Sequence, residues 1–331
     1  MSVSVRDALR RFARLAVAAV LALPVATFAQ APAGYPSKPI RLVVPYAPGG
    51  FPDTVARILA QRLQDRVGQS VLVDNRPGAN GGVAAGVLTS GPADGYTFLV
   101  TDGSMFSINP KLYTKLPYDA AKDFVPVALV ARAALFMAVH PKVPASTLKE
   151  FLDYVKAQPG RVNYGSSGIG STHHLTVEAM KTSLGLDMVH VPFKGTGQSV
   201  PALVGGQVEM LWSALPSLQG FVKDGRVKLL AVNSAQRSPL SPELPAIAEL
   251  VPGFDFAPIV GVLAPAGTPK AIIDYLSSEV VAVTKLPDAV QAFSGAGIDA
   301  VGANADAYAK AIADENARMA KAIQAAGLKP D

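Results

Sequence analysis

Ile40-Arg41-Leu42-Val43-Val44, then Tyr46-Ala47-Pro48-Gly49-Gly50-Phe51-Pro52-Asp53, then Val55, Ile58, Leu59 and Leu63 read as strand, glycine loop and helix in immediate succession. The β-branched run suits a pleated strand, and the spacing of the later apolar residues puts them on one helical face. The alternation returns along the chain. Val71-Leu72-Val73 and Tyr96-Thr97-Phe98-Leu99-Val100 read as strands, with a small-residue helix from Gly81 to Leu88 between them. Thr147-Leu148-Lys149-Glu150 matches a capping box ahead of the stripe Leu148, Phe151, Leu152 and Val155. Further strands are expected at Val189–Val191, Val208–Leu211, Val227–Val232 and Val260–Leu263, and long helices at about 269–284 and 305–326. Such alternation predicts parallel sheets with helices on both faces and ligands at the carboxyl ends of the strands.

Three strand-to-helix loops then deserve reading as chemistry. In the first, Gly49 and Gly50 let a ligand approach the backbone, and a helix start exposes amides that suit a carboxylate. Pro52 fits the first helical position but removes one amide. Asp53 is too acidic to face an anion directly; it is expected to turn back onto backbone amides or to orient a water. The second loop, Tyr164-Gly165-Ser166-Ser167-Gly168-Ile169-Gly170-Ser171-Thr172-His173-His174, offers glycine backbone and hydroxyl donors without charge. It matches neither the P-loop nor the dinucleotide fingerprint, and it lacks the nucleophile elbow of serine hydrolases. The third, Pro192-Phe193-Lys194-Gly195-Thr196-Gly197-Gln198, adds a lone lysine, either a ligand cation or an ordinary solvated charge. Together they describe a site that holds a small anion with neutral donors.

Composition narrows the classes further. Arg6, Arg10, Arg11 and Arg14, an uncharged run from Leu15 to about Ala26, and Thr27-Phe28-Ala29 form the three parts of a secretory signal, residues 1–29, cleaved near Ala29. The run is short for a spanning helix. The full chain has 30 Lys+Arg and 25 Asp+Glu; without residues 1–29 it has 26 and 24, a net of +2 that argues against nucleic acid. No cysteine occurs, so neither disulfides nor a Cys-ligated metal is available. The four histidines, His140, His173, His174 and His190, show no HExxH spacing, and no metal site or cofactor is expected.

The motifs Pro48-Gly49-Gly50-x-x-Asp53, Asp74-Asn75-Arg76-Pro77-Gly78, Ala93-Asp94-Gly95-Tyr96-Thr97, Asn109-Pro110-x-Leu112-Tyr113, Val191-Pro192-Phe193-Lys194-Gly195 and Leu263-Ala264-Pro265-Ala266-Gly267-Thr268-Pro269 occur in order along the chain. In this set the sequence resembles the Bug-type receptors of tripartite tricarboxylate transporters. The resemblance implies an α/β fold of two Rossmann-like domains in a Venus-flytrap arrangement, joined by crossing segments. Domain I would comprise 35–131 plus 257–331, and domain II 132–256. It implies a monomeric periplasmic solute-binding protein, not an enzyme, that captures a small carboxylate for a transporter permease or a sensor ectodomain. By the same analogy Gly49, Gly50, Phe51 and Asp53 form one wall of the cleft, with Ser107 near it. Gly168, Ser171, Thr172, His173 and Ser213 form the other. Three departures bear on the ligand: Phe51-Pro52, Trp212-Ser213 in place of a Phe-Asp pair, and Pro258-Ile259. The missing acid disfavours an amino acid, and Phe51 makes an aromatic acid an alternative to an aliphatic dicarboxylate. Two other classes stand beside this one: a periplasmic serine hydrolase using Ser166–Ser171 with His173 or His174, and a surface interaction protein.

Overall fold

The computed structural model describes residues 31–330; the expected signal segment lies outside them. The chain alternates as read: β1 (Ile40–Val44), α1 (Phe51–Val67), β2 (Val71–Asn75), α2 (Gly82–Thr89) and β3 (Thr97–Asp102). A π-helical turn, Ser104–Ile108, follows β3 and leads through a short helical turn toward β4 (Phe124–Arg132). The second part holds β5 (Leu135–Val139), α3 (Leu148–Lys156), β6 (Val162–Ser166), α4 (Thr172–Leu184), β7 (Met188–Pro192) and α5 (Thr196–Val204). It continues with β8 (Met210–Ala214), α6 (Leu215–Lys223) and β9 (Lys228–Val232). The last part adds β10 (Ile259–Pro265), α7 (Lys270–Val283), α8 (Pro287–Gly295), β11 (Asp299–Ala303) and α9 (Ala305–Ala325).

The strands form two sheets, ordered β11-β4-β10-β3-β1-β2 and β7-β6-β8-β5-β9. Parallel pairing holds for β2-β1-β3 and for β7-β6-β8, each strand there being returned by a helix. The expectation of parallel sheets is corrected elsewhere. β10 runs antiparallel to both β3 and β4, and β5 antiparallel to both β8 and β9. The chain leaves the first sheet after β4 and returns to it only at β10, so neither β5 nor β10 is reached by a helical crossover within its own sheet. Expected Val208–Leu211 also shifts, since the strand is Met210–Ala214 and carries Trp212 into the core at 1% exposure. Pro52 occupies the second helical position, because α1 starts at Phe51.

Three segments join the sheets: Arg132–Leu135, the return through 233–258, and α9. On α9, Tyr308 packs with the first sheet's residues, whereas Met319, Ala322 and Ile323 pack with those of the second. Asn233, fully buried, ties the first two segments. Its Oδ1 accepts from the Leu135 amide at 2.8 Å, and its Nδ2 donates to the Phe256 carbonyl at 2.8 Å. Arg132 adds an ion pair to Asp255 at 3.1 Å. Replacing Asn233 by Ala strips both backbone groups of their partners, and the expected loss is about 2–3 kcal/mol in denaturant unfolding. A loss below about 0.5 kcal/mol would mean water replaces the amide there.

Candidate functional site

The first loop is built around a buried carboxylate. Asp53, 2% exposed, accepts from the Gly49 amide at 2.8 Å, from Arg57 Nε at 2.9 Å and from Asn75 Nδ2 at 2.9 Å. Asn75 Nδ2 also donates to the Tyr46 carbonyl at 3.0 Å, so the end of β2 holds both ends of the loop. Burial alone would raise the Asp53 carboxyl; the Arg57, Gly49 and Asn75 hydrogen bonds bring it below its ordinary value. Asp53 therefore lies beneath the loop and shapes it. Since the Gly49 amide is taken and Pro52 has none, the groups left for an anion at this helix start are the amides of Gly50, Phe51 and Asp53. Phe51 is half-buried and packs against the core of the first sheet.

A cavity of about 440 Å3 opens beside this loop at the carboxyl ends of β1, β2 and β3, lined by Tyr46, Ala47, Gly78, Asp102 and Ser104 among others. Tyr46 donates to Asp102 Oδ1 at 2.7 Å, and the Ser104 amide donates to the same oxygen at 3.0 Å. Burial nonetheless pushes the Asp102 carboxyl above its ordinary value. Ser107, expected near the cleft, is turned the other way by the π-helical turn. It is fully buried and donates to Glu315 Oε2 on α9 at 3.1 Å. The Glu315 carboxylate lies where a Cβ on Gly103 would be, so a larger residue at that position would have to displace it. Burial, with Asp102 nearby, raises the Glu315 carboxyl to about 7.

On the second sheet, Ser171 caps α4: its Oγ accepts from the His174 amide at 3.2 Å and donates to the Gly168 carbonyl at 2.7 Å. Ser167 Oγ pairs with His173 Nδ1 at 3.1 Å, and Ser166 Oγ with His190 Nε2 at 2.7 Å. The Gly170 amide donates to His174 Nδ1 at 3.1 Å. Gly170 takes φ +76°, a conformation that favours glycine, and a Cβ there would also have to displace the tip of the Leu112 side chain. Burial draws His173 and His190 down to about 4, which makes them neutral hydrogen-bonding groups at pH 7. The Phe193 and Gly195 amides donate to the Ser166 and Ser167 carbonyls, both at 3.2 Å, joining the second and third loops. Lys194 is exposed.

The structure thus gathers Gly49, Gly50 and Phe51 in one loop, and Gly168, Ser171, Thr172 and His173 in another. Asp53 and Ser107 sit behind the first of these regions. Ser213, at the end of β8, is fully buried, and its hydroxyl has no hydrogen-bond partner among the described residues. The sequence reading passed over Asn75, Asp102 and His190. Asn75 stood in a quoted motif, but its role depends on reaching Tyr46 and Asp53 across a parallel strand pair. Two Ser–His contacts exist, yet among the described residues no carboxylate hydrogen-bonds to His173 or His190. Glu178 instead pairs with Lys181 at 2.7 Å.

Two mixed α/β sheets exchanged by crossing segments, each ending in a glycine loop at a helix start, make this a periplasmic-binding-protein fold. The family model for the tripartite tricarboxylate transporter family receptor matches residues 55–328, and the chain belongs to that family. Protein BugT of Bordetella pertussis (strain Tohama I) is 35% identical over 297 residues, 89% of this chain and 91% of BugT. Among solved structures, an R. palustris protein with adipate superposes with a TM-score of 0.77 at 34% identity, covering 90% of this chain and 100% of that one. MatC from Rhodopseudomonas palustris with bound malate gives 0.71 at 29% identity, covering 87% and 100%.

Proposed function

We propose that this protein is a periplasmic receptor that captures a small organic carboxylate, an aliphatic diacid by preference, and performs no chemistry on it. Residues 1–29 would direct export. The observation that carries the reading is the first loop: a buried, multiply bonded Asp53 fixes a helix start at which only a few amides remain to receive an anion. The uncharged Gly168–Thr172 loop supplies neutral donors for the other end of the ligand. The adipate and malate complexes of similar proteins support an aliphatic acid. Phe51 gives less support to an aromatic one, because its ring packs on the first sheet's core. A ligand touching both lobes favours their closure in proportion to its differential affinity for the closed state. The closed form is the one a permease or sensor would recognise.

The test is a thermal-shift screen with adipate, malate, succinate, phthalate, benzoate and acidic amino acids. Ligand at 100 times its Kd adds about 2.7 kcal/mol and should raise the melting temperature visibly. Shifts confined to the diacids are the expected result. Silence with every acid, repeated after unfolding and refolding to strip any retained ligand, would overturn the reading in favour of an interaction protein. Ester turnover lost on Ser166→Ala would favour a hydrolase.

A further inference from the structure

Beneath the second loop lies a stack of rings that nothing in carboxylate binding by itself requires. His174 and His190 are stacked with centroids 3.9 Å apart and planes 11° from parallel, and Tyr164 continues the stack on His190 at 4.9 Å and 16°. Each imidazole holds a different point of the loop: His174 Nδ1 accepts from the Gly170 amide, and His190 Nε2 pairs with Ser166 Oγ. The two anchors bracket Gly168, whose carbonyl takes the Ser171 hydroxyl. We propose that the stacked His174–His190 pair is the positioning device of the 166–171 loop, and that the loop keeps its ligand-ready shape only while His174 Nδ1 carries no proton. This rests on the reading of that loop as one wall of the carboxylate site.

The chemistry is simple. An imidazole that gains a proton at Nδ1 becomes a donor on both nitrogens and can no longer accept from Gly170. It would also lie face to face with a second imidazole that cannot charge alongside it. The groups facing the pair are Tyr164 on β6 and Glu178 and Lys181 on α4, with His173 adjacent in the chain. Glu178 favours the charged imidazoles and Lys181 opposes them, while burial is the largest influence and keeps both neutral. On α9, Arg318 and Lys321 border the far end of α4, at Ala179–Ser183.

Two arms test this on the whole protein. In the first, nitrogen-15 NMR follows the histidine imidazoles and the Gly170 amide from pH 7.5 to 4.5 without ligand. His174 should carry its proton on Nε2 at pH 7.5, and the Gly170 amide should move with the same midpoint as His174, below that of a free imidazole. His174→Asn keeps an acceptor near the Nδ1 position but cannot titrate, so the Gly170 response should vanish; His174→Gln serves if the first variant does not fold. A Gly170 amide indifferent to the His174 titration overturns the proposal. In the second arm, adipate affinity is compared between wild type and His174→Asn, so that the acid's own titration cancels. The ratio should be near one at pH 7.5 and fall about tenfold against wild type at pH 4.5, the worth of one buried hydrogen bond. A constant ratio with adipate bound overturns the positioning role. Failure of adipate and the other acids to bind either protein at any pH sinks the carboxylate reading instead, and the NMR arm still decides whether the pair holds the loop.

Discussion

Asp53→Ala is expected to lower affinity for a bound carboxylate by more than about a hundredfold and to destabilise the protein by about 3 kcal/mol. The Asp53 side chain, unlike its backbone amide, touches no ligand. It is the common acceptor for three donors from separate parts of the fold: the loop's Gly49 amide, Arg57 one helical turn on, and Asn75 at the end of β2. Removing it leaves the Asn75 amide with only the Tyr46 carbonyl and leaves the Gly49 amide with none. Freed from Asp53, that amide and the φ +89° turn at Gly49 can rearrange, and the Gly50 and Phe51 amides lose their fixed direction. Preorganised donors lose most of their worth when they must be ordered on binding. Arg57→Ala is the control. Arg57 is 54% exposed, so its ion pair with Asp53 is solvent-screened and should contribute less than about 1 kcal/mol. Chemical denaturation and calorimetric titration with adipate read both variants. Equal behaviour of the two would mean that Asp53 serves only as a partner for Arg57 and that the loop shapes itself.

This contrast marks how far residue patterns reach. The strand–loop–helix unit at Ile40–Val67 was legible because each piece carries its own local signature: a β-branched run, paired glycines, an apolar stripe. The turning back of Asp53 onto an amide was legible too, since an acid four residues after a glycine at a helix start has few other donors nearby. β10 was legible at its centre, Val260–Leu263, but β4 was not: it is buried on both faces through 127–131, so its apolar run shows no alternation to read. The antiparallel pairing of β5 goes with its entry into the second sheet directly from the first, a topological fact that no periodicity announces. Distance in sequence hid the rest. Ser107 was placed near the cleft by the family resemblance, yet its partner Glu315 lies 208 residues away on the helix that links the sheets.

Glu315→Gln is expected to stabilise the protein above pH 7 and to lose that advantage as the pH falls toward 4.5. Glu315 is 4% exposed, shares its burial with Asp102, and is raised from 4.5 to about 7. Between those values the folded chain retains a proton that the unfolded chain has released. Its contribution is therefore fully present below pH 4.5 and lost as the pH rises through 7. The charged form at neutral pH costs about 2–3 kcal/mol. Gln keeps the shape and an acceptor for the Ser107 hydroxyl but never charges. The variant should melt several degrees higher at pH 8, with the two melting curves converging near pH 4.5. The histidines act with opposite sign. His173 and His190 are drawn down to about 4, so between that value and the ordinary 6.5 the unfolded chain binds more protons and stability falls on acidification. In wild type the two effects oppose each other between pH 4.5 and 6.5 and flatten the profile. Removing Glu315 removes one of them, so the acid side of the variant's profile should steepen as well as its neutral plateau rise. A difference between the proteins that stays constant across pH would show that Glu315 titrates alike in the folded and unfolded chains. The gain at pH 8 would then come from packing against Gly103 and Ser107 alone.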